Sequence, residues 1–187
     1  MDITKEYINL VDESKVVNIA SNSTNETEAR LSNLSYSPFV MDWRKYTSVE
    51  AFWQWLKFED EETRLEIAEM FWYKSKYWIN FDKASKSKTF VYELVSYIVW
   101  SEEHHWLMKR AIRCKLEQNP EILKLLLETW NKKIIHCPTR KDWTPYPDST
   151  TIPAEVFSRI YMELREEFRN QLNEAIKNVS KKANEIF

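Results

Sequence analysis

Three polar side chains near residue 50 have the types and spacing needed for chemistry on a small charged molecule. Glu50, Gln54 and Lys57 are separated by four and then three residues. In a helix, which turns by about 100° per residue, this spacing places all three on one narrow stripe. An acid, an amide and an amine would then lie along one line. Such a set suits a polar, charged ligand better than it suits packing.

The segment that carries these residues has the pattern of a helix with one apolar side. We predict a helix over 48–58, and the residues opposite the polar stripe are Phe52, Trp55 and Leu56. Two other interpretations stay open. Thr47 and Glu50 fit a capping box, in which an N-cap threonine is answered by a glutamate three residues later. A polar stripe is also typical of a solvated helix face.

A second group of candidate residues follows Pro138 late in the chain. Asp142 supplies a carboxylate, and Trp143 after it offers a ring on which a base can stack. Together with Glu50, Asp142 would make a two-carboxylate site for glycosidic cleavage, in which positive charge builds on the sugar. An ordinary role for Asp142 as a loop residue stays open as well. Among the other tryptophans, which we assign mostly to the core, Trp53 lies nearest the polar stripe.

Composition excludes several functional classes. The chain of 187 residues contains no glycine, so it has neither a Gly-rich phosphate loop nor a Rossmann fingerprint. A net charge of −2 argues against electrostatic capture of nucleic acid as the main activity, since such binding needs a basic surface. Basic runs at 74–88 and 132–141 still allow nucleic acid to contact one edge.

The cysteines and histidines predict neither disulfides nor a metal centre. Cys114 and Cys137 are isolated thiols in a chain whose start is not a secretory signal. His104 and His105 are adjacent, so they cannot share a helix face, and His136 is remote from both. We expect no metal and no cofactor. With no apolar run of 18 residues, we expect a cytoplasmic protein without a membrane partner.

Periodicity predicts a mostly helical chain with a small β component. A polar loop over 21–29 leads to an extended segment over 31–46, which contains a hairpin turning at Asp42–Trp43. A strand is predicted over 133–137 and a loop over 139–152. The predicted helices after residue 47 cover 48–58, 61–73, 87–100, 102–118, 121–129 and 153–178.

A series of short motifs resembles one known family. Leu31 to Phe39 read LSNLSYSPF, and Ser48-Val49-Glu50 is followed by Gln54 and Lys57. The series continues through the segments 107–111, 115–120, 125–129 and 162–165. In this order the motifs resemble the NADAR family, which includes riboflavin-intermediate N-glycosidases and ADP-ribose-processing enzymes.

The resemblance implies a fold, an activity and a substrate class. The fold would be α+β and predominantly helical, a single compact NADAR-like domain with a small β element. The domain would cover 30–170, between an N-terminal extension with a mobile loop (1–29) and a C-terminal helical tail (171–187). The activity would be hydrolysis of the N-glycosidic bond between a ribose, in ADP-ribose or a ribose phosphate, and a base or amine. The partner would be a nucleotide-like small molecule, with ADP-ribosylated nucleic acid as a further candidate substrate.

The resemblance also assigns roles to individual residues. Glu50 would stabilise charge at the anomeric carbon or orient water, and Lys57 would bind phosphate or attack C1′ as an amine. Asp142 is a displaced candidate for a second catalytic carboxylate. The residues expected to bind substrate are Asn33, Phe39, Gln54, Arg140 and Trp143.

Departures from the family pattern leave two alternatives to an enzyme. Ala51 replaces a histidine after the Ser-Val-Glu motif, Arg140 stands where an aspartate is usual, and Ile135 leads to His136 instead of to an acid. Because cations favour phosphate retention over water activation, the first alternative is a catalytically weakened module that binds ADP-ribose or a related nucleotide. The second is a helical interaction protein whose tryptophans serve packing.

Overall fold

Helices and short strands alternate along the chain. The computed structural model describes residues 15–70, 88–137 and 152–184. The strands in these ranges are β1 (Val16–Asn18), β2 (Phe39–Met41), β3 (Arg44–Tyr46), β4 (Thr89–Tyr92), β5 (Val95–Ile98) and β6 (Lys133–Ile135). The helices are α1 (Glu26–Leu31), α2 (Val49–Trp55), α3 (Glu61–Glu69), α4 (Glu102–Gln118), α5 (Pro120–Glu128) and α6 (Ala154–Asn184). The predicted α+β, predominantly helical single domain is confirmed, whereas its predicted boundaries stay a prediction.

The described strands form three two-stranded sheets. The strands β2 and β3 form one antiparallel hairpin, and β4 and β5 form another. In contrast, β1 pairs in parallel with β6, with Val17 opposite Ile134. This pairing brings the start of the described chain against the segment that follows α5.

The two hairpins turn without glycine. Asp42 and Trp43 have φ angles of 48° and 69°, and Glu93 and Leu94 have φ angles of 48° and 65°. Two successive positive φ values match the tight hairpin turns that usually contain Asn or Gly. For a residue with a side chain, this conformation costs about 1–2 kcal/mol of free energy. The pairing of the strands must offset this cost. The hairpin predicted at Asp42–Trp43 is confirmed.

The helix predicted over 87–100 is wrong, because the described part of this segment forms the hairpin of β4 and β5. Residues Thr89 to Tyr92 alternate between exposed and buried positions, which is the period of a strand. The segment is rich in β-branched and aromatic residues, which favour strands. The turn Glu93–Leu94 lacks the glycine or asparagine by which a hairpin is usually identified.

The loop predicted over 21–29 is also wrong from Glu26 onward, where α1 begins. Asn25 caps this helix, and its side-chain oxygen accepts a hydrogen bond of 3.3 Å from the backbone N–H of Glu28. Glu26 and Glu28 lie in the first turn, where negative side chains interact favourably with the helix dipole. The polar residues that indicated a loop are therefore the N-terminal turn of a helix.

The remaining helices are confirmed, α4 with the predicted bounds and the others with shifted ends. The helix α2 stops at Trp55 and α3 at Glu69, while α6 continues beyond the predicted end to Asn184. The predicted loop over 139–152 falls almost entirely outside the described residues. No helix within the described ranges combines the length and the apolar character needed to cross a membrane.

The helix α2 lies in the core and positions the candidate site. It packs against α3 and α4, and Val49, Ala51 and Phe52 are fully buried. Phe52, Trp55 and Leu56 are all buried, as predicted for the side opposite the polar stripe. Burial of these large apolar side chains, each contributing about 1.5–3 kcal/mol, holds α2 rigidly in place.

Candidate functional site

The helix that carries the polar stripe begins one residue later than a capping box would require. Ser48 is the N-cap residue, and its Oγ accepts a hydrogen bond of 3.1 Å from the backbone N–H of Ala51. Thr47 instead donates its hydroxyl hydrogen to the carbonyl oxygen of Met70, at 2.5 Å. The capping-box interpretation of Thr47 and Glu50 is therefore wrong, and the Glu50 carboxylate is not used as a cap.

The three polar side chains of the stripe are joined by hydrogen bonds. The Gln54 amide nitrogen donates to Glu50 Oε1 at 2.7 Å, and Lys57 Nζ donates to Gln54 Oε1 at 3.0 Å. Because a carboxylate only accepts and an ammonium only donates, one orientation of the amide satisfies both neighbours. Gln54 is only 4% exposed, so the stripe is not a simple solvated face.

The amine of this chain of hydrogen bonds lies on an aromatic platform. Lys57 Nζ is 4.7 Å from the centre of the Trp53 ring, within the range of a cation–π interaction. The His104 ring stacks on the same Trp53 ring, with 4.8 Å between ring centres. Trp100 and Phe90 also contact Trp53, at 5.4 Å and 6.3 Å. The position of Lys57 is thus fixed by both Gln54 and Trp53.

The histidine stacked on Trp53 is neutral at physiological pH. His104 is fully buried, and burial, followed by the nearby His105, lowers its pKa to about 4. Its Nδ1 accepts a hydrogen bond of 3.0 Å from the backbone N–H of Trp100. This bond requires an unprotonated Nδ1, so the neutral ring carries its hydrogen on Nε2.

The buried His104 predicts a loss of stability in acid. Because its pKa falls from the usual 6.5 to about 4 on folding, the unfolded chain binds more protons between these values. The free energy of unfolding should fall as the pH drops through this window, by about 3 kcal/mol in total. His104→Asn keeps an acceptor for Trp100 but does not titrate. Urea denaturation of both proteins at several pH values should show the extra loss in the wild type alone; equal slopes would contradict the prediction.

Of the residues predicted to line the site, Asn33 lies beside Glu50 and Phe39 is in the core. The carbonyl oxygen of Asn33 accepts a hydrogen bond of 3.0 Å from the Glu50 backbone N–H. Its side-chain Oδ1 is buried and has no hydrogen-bond partner in the described part of the chain. Phe39 is 1% exposed and packs against Tyr46 with 5.6 Å between ring centres.

The structure does not describe the candidate residues that follow Pro138. Arg140, Asp142 and Trp143 lie outside the described residues, so their approach to Glu50 stays a prediction. His136 is described, and its Nδ1 is 2.7 Å from the carbonyl oxygen of Ile19 while its ring packs on Phe157. Among the described residues, no group of three or more His, Cys, Asp and Glu side chains could hold a metal ion.

Sequence reasoning missed two buried groups near the site. The sequence pattern presents His104 only as a candidate metal ligand and Lys115 only as part of a motif, and it predicts the burial of neither. Both occupy the buried side of α4, where Met108, Ala111 and Lys115 follow His104 at helical spacing. A titratable residue on the apolar stripe of an amphipathic helix was the signal that could have identified them.

Comparison with known proteins identifies the fold. No family model matches the chain, and no curated protein matches it either. Among solved structures, it is similar to the NMR structure of the E. coli protein YbiA, with a TM-score of 0.61 and 23% sequence identity. The match covers 93% of this chain and 96% of YbiA. The described helices and strands therefore belong to a fold that the two proteins share.

Proposed function

We propose that this chain is an N-glycosidase that hydrolyses the bond between a ribose, in ADP-ribose or a ribose phosphate, and a base or amine. The observation that carries the proposal is the hydrogen-bonded series Glu50, Gln54 and Lys57. It places a negative group on α2 and a positive group in the turn that follows α2, held apart by a buried amide. The charges of a ribose phosphate are complementary to this pair, because positive charge develops at C1′ during cleavage while the phosphate is negative.

The chemistry assigns separate tasks to the two ends of this series. As the bond from C1′ to nitrogen breaks, its electron pair leaves with the base, and positive charge spreads over C1′ and the ring oxygen. The Glu50 carboxylate would stabilise that charge and orient the water that adds to C1′. The added water loses one proton, and the departing nitrogen gains one. Lys57 would hold a phosphate oxygen as an ammonium, or as a neutral amine it would displace the base nitrogen at C1′. In the second case the proton of the attacking amine passes to the departing nitrogen, and water then hydrolyses the ribosyl-lysine bond and releases the amine.

Two further observations support this assignment. The sequence motifs that contain Asn33, Glu50 and Lys57 resemble those of the NADAR family, and YbiA, whose fold the chain shares, is a NADAR-family protein. The structure also joins two of these motifs, through the hydrogen bond from the Glu50 N–H to the Asn33 carbonyl. Asn33 Oδ1 would then accept a hydrogen bond from the substrate.

The alternative function, a module that binds ADP-ribose without catalysis, rests on Arg140 and His136, which stand where the family pattern has acids. His136 contacts the Ile19 carbonyl and the Phe157 ring, contacts that serve the packing of β1 and α6. Arg140 lies outside the described residues. We therefore favour hydrolysis. Binding of ADP-ribose without turnover would instead support the alternative of a binding module.

The test is a direct assay of the purified chain. It is incubated with ADP-ribosylated DNA, with free ADP-ribose derivatives and with phosphoribosylamino-pyrimidines, and the released base or ADP-ribose is separated by chromatography. We expect turnover of at least one substrate and its loss in Glu50→Ala. Binding of ADP-ribose is measured in parallel by calorimetry. Tight binding without turnover would identify the chain as the binding module. Neither binding nor turnover would overturn both interpretations and favour an interaction protein.

A further inference from the structure

A lysine is buried where the pattern of its helix calls for an apolar side chain. Lys115 lies on α4, three residues after the buried Ile112, and is 0% exposed. Lysine is almost never fully buried unless its charge is compensated. No carboxylate pairs with Lys115 in the ranges that the structure describes, so its compensation must come from other groups.

Backbone carbonyl groups supply that compensation. Lys115 Nζ donates to the carbonyl oxygens of Arg30, Leu31 and Ser32, at 3.1, 3.1 and 2.8 Å. Burial, followed by the nearby Arg30, lowers the pKa of Lys115 to about 7. The three carbonyl acceptors favour the ammonium form, because they use all three of its hydrogens. The acceptors lie at the C-terminal end of α1, where the last carbonyls of a helix lack partners and the helix dipole is negative.

The absence of glycine explains why a side chain from another helix is needed here. Helices very commonly end on a glycine with positive φ, whose geometry lets following backbone N–H groups reach the last carbonyls. After α1 the chain instead leaves through Ser32 with φ −54° and ψ 146°. The Ser35 N–H still reaches the Ser32 carbonyl oxygen at 3.1 Å, and the Lys115 amine supplies three further donors at this helix end.

The carbonyl groups that Lys115 holds come directly before a site residue. Asn33 follows Ser32, and the Asn33 carbonyl accepts the hydrogen bond from the Glu50 N–H. We propose that Lys115 is a positioning residue, which fixes the turn over 30–33 and through it the position of Glu50. The catalytic consequence rests on the proposed function, but the coupling of Lys115 to Glu50 does not.

Other contacts of the same turn provide controls. The Tyr161 hydroxyl also donates to the Leu31 carbonyl oxygen, so Tyr161→Phe removes one donor and leaves the bonds of Lys115 in place. Leu116 is the buried neighbour of Lys115 on α4, and Leu116→Ala weakens the same helix without removing any donor from the turn. A general loss of stability can thus be separated from loss of positioning.

The test compares Lys115→Met with both controls by hydrogen exchange and by kinetics. In Lys115→Met we expect exchange of the Glu50 amide, measured by NMR, to accelerate at least about 10-fold relative to other amides of α2. We also expect kcat for the substrate found above to fall about 10- to 100-fold with KM within about threefold, since a small displacement of a reacting group costs about this much. Tyr161→Phe and Leu116→Ala should change neither quantity beyond about threefold once corrected for the folded fraction.

The two readouts separate the failure of this inference from the failure of the proposed function. If the wild type turns over no substrate, the proposed function fails, and the exchange of the Glu50 amide still decides the role of Lys115. Unchanged exchange in a folded Lys115→Met protein would overturn the inference, as would an equal change in Leu116→Ala. If Lys115→Met does not fold, Lys115→Gln replaces it. If neither folds, the ammonium hydrogens of wild-type Lys115 should exchange slowly with solvent, and rapid exchange would overturn the inference.

Discussion

Replacing Glu50 by glutamine should abolish most of the turnover while leaving the fold intact. A glutamine at this position keeps a side-chain oxygen for the bond from the Gln54 amide, which is now 2.7 Å long. It removes only the negative charge that the proposed mechanism places near C1′. Loss of one such electrostatic or acid–base group typically costs about 10²- to 10⁴-fold in rate. We expect kcat to fall by this factor, with little change in KM.

The measurement is steady-state hydrolysis of the best substrate by wild type and Glu50→Gln, together with thermal denaturation of both. Glu66→Gln is the matched control, because it makes the same chemical change at an exposed position on the neighbouring helix α3. The control should retain wild-type kcat. A Glu50→Gln protein with undiminished kcat would remove the carboxylate from the mechanism.

The helix α2 could be predicted from the sequence because its pattern is local. The spacing of Glu50 and Gln54 follows from helical geometry, and Lys57, in the turn after Trp55, continues the series of hydrogen bonds. What could not be predicted was their environment. The amphipathic pattern left a solvated face open, whereas Gln54 is buried because polar groups that satisfy one another can be enclosed.

Most of what could not be predicted from the sequence is contacts between distant segments. Lys115 and the carbonyl of Ser32 are 83 residues apart, and no local pattern links a lysine on one helix to the end of another. The hairpin of β4 and β5 was missed for a different reason. Its turn places Glu93 and Leu94 at positive φ, so the residues that usually identify such a turn are missing. In a chain without glycine, turn positions lose much of their sequence signal.

Replacing Lys57 by methionine should lower kcat/KM by about 10²- to 10³-fold, whichever of its two roles is correct. Methionine removes the charge that would hold a phosphate oxygen, and it also removes the nitrogen that would attack C1′. The apolar stem can still lie on the Trp53 ring, which is 4.7 Å from Nζ, so we expect little loss of stability. Hydrolysis rates over a range of substrate concentrations test this expectation, with Lys45→Met at an exposed position of strand β3 as the control.

The variant Lys57→Arg then decides between the two roles. A guanidinium keeps the positive charge and binds phosphate well, but it is never deprotonated under these conditions and cannot act as a nucleophile. If Lys57 holds a phosphate, Lys57→Arg should retain kcat/KM within about 10-fold of the wild type, and the effect of Lys57→Met should lie mainly in KM. If the amine attacks C1′, the arginine variant should be as inactive as the methionine variant, with the loss in kcat. The hydrogen bond to Gln54 and the position over Trp53 are compatible with either role, because both constrain where the nitrogen lies. Wild-type activity in Lys57→Met would exclude both roles of Lys57 and leave it a structural residue that packs on Trp53.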